Sequence, residues 1–286
     1  MFGGIAVVRN LLCLAHSDVR GKVFLIDLDE RRPVSIWEYG PDGGGYADAG
    51  GVAMASDFML YVADTGNDVV RCFTPFGKEV GRIGESPDRA PGSVGRDRKG
   101  VLDRPRAVAV HGSVVHVACG ENELRRGVQR FGRTGGAMAP LRSFGEAEGK
   151  FGAPRGIWAD DLGVLVADTL HGVVQRFEPD GRYTGVIETA VDPGAASRPV
   201  AVVRLPDGDV MVADQGDRCG LLRFDVAGRR RPMEVMDDLE VPIDLARDDR
   251  GRVYVLDRDG ERVRRLHPDL GFDVLVADIA ELQDGD

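Results

Sequence analysis

The sequence is poor in the features that mark the commonest functional classes. No uninterrupted apolar stretch approaches the roughly 18 residues of a membrane helix, and aromatic residues make up only 6% of the 286 positions. The four cysteines, Cys13, Cys72, Cys119 and Cys219, have no C-x-x-C spacing. They read as free structural thiols, which suits a reducing compartment. The five histidines form no H-x-x-x-H or H-E-x-x-H pattern. A G-x-S-x-G elbow, a phosphate-binding P-loop and a helix-opening G-x-G-x-x-G are also missing, which removes the common hydrolase and nucleotide signatures. The start, "MFGGIAVVRNLLCLAHSD", has no basic segment ahead of its apolar part and is interrupted by Arg9. It reads as a strand, not a signal peptide, and the expectation is a soluble, cytoplasmic protein.

Charge is unbalanced toward acid. There are 47 Asp and Glu against 37 Lys and Arg, a formal net charge of -10. A large nucleic-acid surface needs a net basic footprint, so none is expected. Helical periodicity is almost absent as well, which leaves strands to build the core.

What the chain has in abundance is repetition. "YVADTGNDVVRCF" at 61–73 returns as "LVADTLHGVVQRF", "MVADQGDRCGLLRF" and "YVLDRDGERVRRL". The residues that close each apolar string are His16, Asp64, Cys119, Asp168, Asp214 and Asp257, spaced 43 to 55 apart. The register extends upstream. Pro105 and Pro154 precede their partners by 14 residues, Pro199 and Pro242 by 15, and Phe2 and Gly50 take that place in the first two units. Downstream come turns such as "FTPFGK", "FGRTGG", "FEPDGR" and "FDVAGR", where proline presets the bend and glycine supplies a positive φ.

Each unit is therefore four short strands, a to d, too small to bury its own faces. Strands such as "VLVA" and "IAVV" are apolar without alternation, so neighbouring sheets must cover both sides. The expectation is an all-β, six-bladed β-propeller of four-stranded antiparallel blades. The units span about 2–40, 50–84, 105–145, 154–188, 199–236 and 242–276. They form one domain over 1–276, with 277–286 as a tail that packs outside or frays. The first and last units each supply their own four strands, so the ring closes without a swapped strand. A pair of β-sandwiches would use as many strands but gives no reason for "VAD" to recur in register.

"YVADTGNDVVRCFTPFGKEVGRIG" resembles an NHL repeat, and "SFGEAEGKFGAPRGIWADDLGVLVADTLHGVVQRFEPDGRY" resembles the junction and body of another. The resemblance covers essentially residues 2–276, strongest in units two and four and weakest in one and three. It implies a six-bladed propeller and almost no chemistry. Enzymes exist on propellers of this kind, but the chain lacks the paired cysteines and histidine set of peptidyl-amidating lyases. It also lacks the "GEGP" and "PNG" lead-ins of gluconolactonase-type hydrolases and a histidine pair placed as in streptogramin lyases.

The recurring aspartates, Asp64, Asp168, Asp214 and Asp257, end strand b, where a short carboxylate can accept backbone N–H groups of the following turn. A ring of metal ligands is the sharper alternative. With strands about 4.8 Å apart, strand b stands roughly 10 Å from the axis and neighbouring carboxylates about 10 Å from each other. A hard cation needs oxygens at roughly 2.0 to 2.6 Å. His16, Asp64 and Cys119 would suit zinc by ligand type, yet the same geometry opposes them. No cofactor is expected; calcium or zinc would enter only through such a set. His171 reads as a turn residue.

The b–c turns and d–a connections share one face of a propeller, and the a–b and c–d turns the other. The a–b turns are acidic, with Asp57, Asp160, Asp161, Asp207, Asp248 and Asp249. On the opposite face the connection over 82–106 carries seven cationic against four acidic side chains. Arg89, Arg96, Arg98, Lys99 and Arg104, with Arg125 and Arg126 of the next b–c loop, make a basic prominence that would steer acidic partners. The expected function is a non-catalytic interaction platform or accessory subunit for a protein partner. The alternative is a metal-dependent lyase or hydrolase at the channel mouth. RNA binding is a lesser possibility, since stacking aromatics are few and most, such as Phe73, Phe131, Phe177 and Phe224, recur at core positions.

Overall fold

A computed structural model describes residues 2–16, 21–40, 48–86, 99–119, 127–141, 150–233, 239–257, 262–267 and 271–278. Among them there is no helix; the elements are 23 strands. Blade 1 comprises β1 (Phe2–Val8), β2 (Leu11–His16), β3 (Lys22–Asp27) and β4 (Arg32–Glu38). Blade 2 is β5 (Ala49–Met54), β6 (Leu60–Asp64), β7 (Val69–Phe73) and β8 (Glu79–Ile83). Blade 3 has β9 (Pro105–His111), β10 (Val114–Cys119) and β11 (Gly127–Gly132). Blade 4 is β12 (Pro154–Asp160), β13 (Gly163–Asp168), β14 (Val173–Phe177) and β15 (Tyr183–Glu188). Blade 5 has β16 (Pro199–Arg204), β17 (Val210–Asp214), β18 (Gly220–Phe224) and β19 (Arg230–Arg231). Blade 6 has β20 (Pro242–Arg247), β21 (Val253–Asp257), β22 (Arg262–His267) and β23 (Gly271–Asp278). Every sheet is antiparallel and ordered as its strands follow in the chain.

The six blades form a propeller ring. The innermost strands β1, β5, β9, β12, β16 and β20 each pack on the next, and β20 packs on β1. Apolar clusters lie between blades, as the non-alternating strands require. Tyr61, Ala63, Val70 and Cys72 of blade 2 meet Val108, Val115, Val117 and Phe131 of blade 3. Tyr254, Leu256 and Val263 of blade 6 meet Ile5, Leu12, Leu14 and Phe24 of blade 1, which closes the ring without a shared strand. Burying strand β6 on both faces leaves all five of its residues buried, whereas the outer strand β8 is mostly exposed. The aromatic position of the third strand, Phe73, Phe131, Phe177 and Phe224, is 2% exposed or less throughout. That burial also withholds these rings from base stacking.

Proline decides where the outer strands fail. Blade 3 has three strands where four are expected. After its turn the chain runs beside β11 with one bridge, Phe131 to Ala137, and hydrogen bonds from Met138 N and Leu141 N, but Pro140 has no N–H to continue the ladder. In blade 5 the fourth strand is two residues long and stops before Pro232. The turn glycines Gly77, Gly135, Gly181 and Gly228 do take positive φ, and in the degenerate first-unit turn Arg31 takes φ 54 instead. Two boundaries shift. The partner of Asp64 is Ala49, one residue before the expected Gly50. Strand β23 runs through Ala277 to Asp278, so the first two residues of the expected tail pair with Val263 and Arg262.

Each innermost strand carries the same irregularity. The first residue pairs with the end of the second strand, as Pro154 does with Asp168, and the third pairs one step on, which leaves the second residue as a bulge. The bulged residues are Gly3, Gly50, Arg106, Arg155, Val200 and Ile243. A bulge takes its residue out of the ladder, and all six line one cavity.

Candidate functional site

Those six bulges are the wall of a cavity of about 430 Å³ at one end of the central channel. Asp48, Arg198, Gln215 and Asp244 join them in lining it. The wall is divided by sign. Arg106, Arg155 and Arg198 come from blades 3 to 5, and Asp48 and Asp244 from blades 2 and 6.

The residue after each bulge faces the next blade at close quarters. A Cβ at Gly4 would stand 2.6 Å from Gly51 Cα, and one at Gly156 would stand 2.5 Å from Ala201 Cα. Five blades accordingly carry Gly4, Gly51, Ala107, Gly156 and Ala201. Blade 6 carries Asp244, whose Oδ2 accepts Ile5 N of blade 1 at 2.9 Å. Burial pushes this carboxyl up to about 7, while hydrogen bonds from Ile5 N and Leu245 N pull it down. Both of its oxygens accept backbone N–H groups, from Ile5 and Leu245, and a carboxyl shifted this far in a channel marks a candidate residue for function.

Asp244 also lines a second cavity of about 490 Å³ toward the a–b turns. Its floor is apolar, with Val52, Val108, Ile157 and Leu245. At its rim Arg247 stacks 5.0 Å from the Trp158 ring, Arg204 Nε donates to Asp160 at 2.9 Å, and His111 Nε2 lies 2.9 Å from Asp161. The acidic a–b turns are largely committed to the fold. Asp57 is clamped by Arg133 at 2.6 Å, Asp207 by Arg223, and Asp248 by Arg252 and Tyr254.

The recurring aspartates are buried and occupied by protein donors. Asp64 accepts Arg71 Nε at 2.6 Å and Asn67 Nδ2 at 2.9 Å; burial nonetheless holds its carboxyl above the ordinary range. Asp168 accepts Gly152 N, Ala153 N and Gln175 Nε2, with His171 Nδ1 at 2.9 Å. Asp257 accepts Glu240 N and Val241 N, and Asp214 accepts Arg198 N and Gly216 N. The expected bond to the following turn is thus clearest at Asp214. At Asp168 and Asp257 the carboxylate reaches back to the segment that leads into its own blade.

Beside three of these aspartates, Asp64, Asp168 and Asp214, sits a residue the sequence reading passed over. Thr65 Oγ1 donates to Pro105 O and Thr169 Oγ1 to Pro199 O, both at 2.6 Å, and Gln215 Nε2 donates to Pro242 O at 3.0 Å. Each stitches one blade to the next. Their signal was the recurring "ADT" and "ADQ", legible only once neighbouring proline carbonyls were known to lie opposite.

Among the described residues no three His, Cys, Asp or Glu side chains are grouped to share a metal ion. His16, Asp64 and Cys119 each end the second strand of their own blade, paired with Phe2, Ala49 and Pro105. Burial pushes the Cys119 thiol up to about 12, which opposes the thiolate that zinc requires.

Of the basic prominence, Arg89, Arg96, Arg98, Arg125 and Arg126 lie outside the described residues. Lys99 and Arg104 are described, and both are exposed. The base of their connection is pinned by Glu85 N donating to Gly100 O and Leu102 N to Glu85 O, over a fully buried Leu102. Asp68 of the blade 2 turn accepts Arg104 N at 2.7 Å and Ser86 Oγ at 3.0 Å. Asp68 and Arg104 both hold positive φ, 57 and 49. Non-glycine residues in that region are strained, and such strain collects at functional surfaces.

The fold matches solved propellers over nearly all of its length. Virginiamycin B lyase from Staphylococcus aureus superposes with TM-score 0.64 and 14% identity, covering 95% of this chain and 83% of the other. A chain of the nidogen/laminin complex gives 0.67 and 13%, covering 92% of both. A gluconolactonase from Xanthomonas campestris gives 0.59 and 15%, covering 86% and 79%. No family model and no curated protein sequence matches the chain. At such identities the likeness shows the six-bladed propeller and nothing finer, and the three neighbours include both enzymes and a component of a protein complex.

Proposed function

We propose that the chain is an NHL-type interaction platform of the cytoplasm whose b–c face docks an acidic segment of a protein partner. The observation that supports this most is the cationic run of blade 3, in which Lys99 and Arg104 stand exposed on a pinned, strained connection and Arg106 continues it to the channel mouth. Cations concentrated on one face of a protein with net charge -10 steer encounter and fix orientation. The nidogen/laminin neighbour belongs to a protein complex, which is in keeping with such a role. The test is affinity capture of a partner from the native source with wild type and with Lys99→Glu/Arg104→Glu, both checked for intact β-sheet by circular dichroism. Loss of the captured partner in the variant, and weakening with salt, is the expected result; equal capture by both proteins refutes the docking face.

One observation favours a second reading, a lyase or hydrolase working at the mouth. Asp244 holds a carboxyl with a pKa of about 7 inside the channel, the property expected of a general base, and two of the named neighbours are enzymes. Stoichiometric zinc or calcium in the purified protein would support it.

A further inference from the structure

The cavity of about 490 Å³ at the a–b end of the channel has the size and the mixed walls of a small-molecule site. Val52, Val108, Ile157 and Leu245 give it an apolar interior, Asp244 stands at its inner end, and Trp158 and Arg247 stand at its rim. From Asp244 to Arg247 strand β20 advances three residues, about 10 Å at ~3.3 Å each. That is the depth open to a ligand.

The acids around the rim mostly have protein donors. Asp160 accepts Trp158 Nε1 at 2.8 Å and Arg204 Nε at 2.9 Å. Asp248 accepts Arg252 Nε at 2.6 Å and Tyr254 OH at 3.1 Å, and Asp161 faces His111 Nε2 at 2.9 Å. Arg247 is different. Its guanidinium lies over the Trp158 ring at 5.0 Å, and its Nε is buried with no hydrogen-bond partner among the described residues. Burial disfavours its charge, while Asp160 and Asp248 nearby favour it and Arg204 opposes it. Arg204 and Arg252 already hold those two carboxylates, so Arg247 is a cation without a carboxylate of its own. A desolvated donor lacking an acceptor is costly, and an acceptor carried in by a ligand relieves the cost.

The surroundings decide what that acceptor is. A guanidinium donates in its own plane, as a fork that matches a carboxylate, so the Trp158 ring over one face leaves those edges available. Trp158 is held through Asp160 to Arg204, and the platform is organised before a ligand arrives. Arg9, exposed over the Phe58 ring at 5.2 Å, adds a second cation to the lining. A cationic head would be repelled by Arg247 and would find Asp160 and Asp248 occupied. An anionic head at the inner end would meet Asp244, whose oxygens are filled by Ile5 N and Leu245 N. Asp249, the remaining acid of the rim, is exposed, so water and salt screen it.

We propose that this end of the channel binds a small monocarboxylic acid with an apolar body, its carboxylate on Arg247 and its body among Val52, Val108, Ile157 and Leu245. The site is distinct from the b–c face and does not rest on the docking role.

The experiment is isothermal titration of the full chain with 4-phenylbutyrate, 4-phenylbutan-1-ol, 4-phenylbutylamine and acetate. 4-Phenylbutyrate is expected to bind at millimolar concentration or better. The alcohol and the amine lack the anionic head and acetate lacks the body, so each should bind about tenfold or more weakly, as for loss of a charge-assisted hydrogen bond or of apolar burial. Arg247→Gln should weaken 4-phenylbutyrate by a similar factor and leave the alcohol unchanged, with circular dichroism checking its fold; the ligand series on wild type decides the matter if the variant does not fold. No binding of 4-phenylbutyrate, equal binding of any of the other three, or undiminished binding by a folded Arg247→Gln overturns the proposal. The platform is tested through Lys99 and Arg104, which do not line this cavity, so the two can fail independently.

Discussion

Arg71 is the largest fully buried side chain among the described residues. Its Nε donates to Asp64 at 2.6 Å, its Nη1 to Glu79 at 3.1 Å and its Nη2 to Gly40 O at 3.3 Å, and it lies 5.1 Å from the Tyr39 ring. In Arg71→Met the stem volume is kept and the cation is lost, so Asp64, 0% exposed, loses its counter-charge. Breaking a buried pair on one side costs about 3–5 kcal/mol. Unfolding entropy of about 2.1 cal/mol/K per residue, over the 286 residues, gives about 0.6 kcal/mol/K, so the melting temperature should fall by about 5–8 °C. The size of the fall should depend on pH. Burial already holds the Asp64 carboxyl above its ordinary range with Arg71 present, and removing the cation raises it further. An acid whose folded pKa exceeds its unfolded value gives its full stability below the unfolded pKa and loses it as pH rises through the folded one. The variant should therefore be closest to wild type near pH 5 and furthest from it near pH 8. Asp64→Asn/Arg71→Met, which removes the stranded charge, should recover much of the loss. Thermal melts by circular dichroism at the two pH values decide it. A pH-independent loss, or a double variant no better than the single, would refute the account of Asp64 as a buried charge that depends on Arg71.

Three other outcomes follow from the inner ring. Gly156→Ala places a Cβ 2.5 Å from Ala201 Cα and should destabilise by about 1–3 kcal/mol through overpacking, whereas Gly81→Ala, with nothing within 4 Å, should leave the melting temperature nearly unchanged. Thr169→Val leaves Pro199 O without its 2.6 Å donor and should cost about 1–3 kcal/mol in urea unfolding. Asp244, raised to about 7 by burial, makes wild-type stability fall as pH rises from about 4 through about 7; Asp48, Arg106, Arg155 and Arg198 share its cavity. Asp244→Asn should flatten that slope, and an unchanged slope would assign it to another group.

The architecture was legible because repetition and apolar patterning are properties of the chain itself. "VAD" closing the second strand of three blades, with "LAH", "VAC" and "VLD" in the same place of the others, gave the unit, and non-alternating strands such as Leu60–Asp64 announced burial on both faces. The mouth was far less legible. Arg106 and Arg155 look like ordinary strand residues after proline, and only the bulge shared by six blades brings them to the wall of one cavity. Asp244 was passed over because "PIDLA" differs from "PRGIWA" by side chains whose meaning depends on the blade across the gap. The proline rule served at strand starts, but Pro140 and Pro232 were not weighed as breakers of the outer strands, hence the missing strand of blade 3 and the two-residue strand of blade 5.

Because each sheet is one continuous stretch of chain, five of the six blade boundaries are crossed by a covalent tether and the sixth is not. At that sixth, Tyr254 and Leu256 lie against Ile5 and Leu14, with Asp244 gripping Ile5 N. Side-chain packing and the grip of Asp244 on Ile5 N do there what a peptide bond does elsewhere. A load pulling the two ends of the molecule apart would open the wheel at this seam first, and a chain re-cut at any other boundary, with its old ends joined, would merely relocate the weak point.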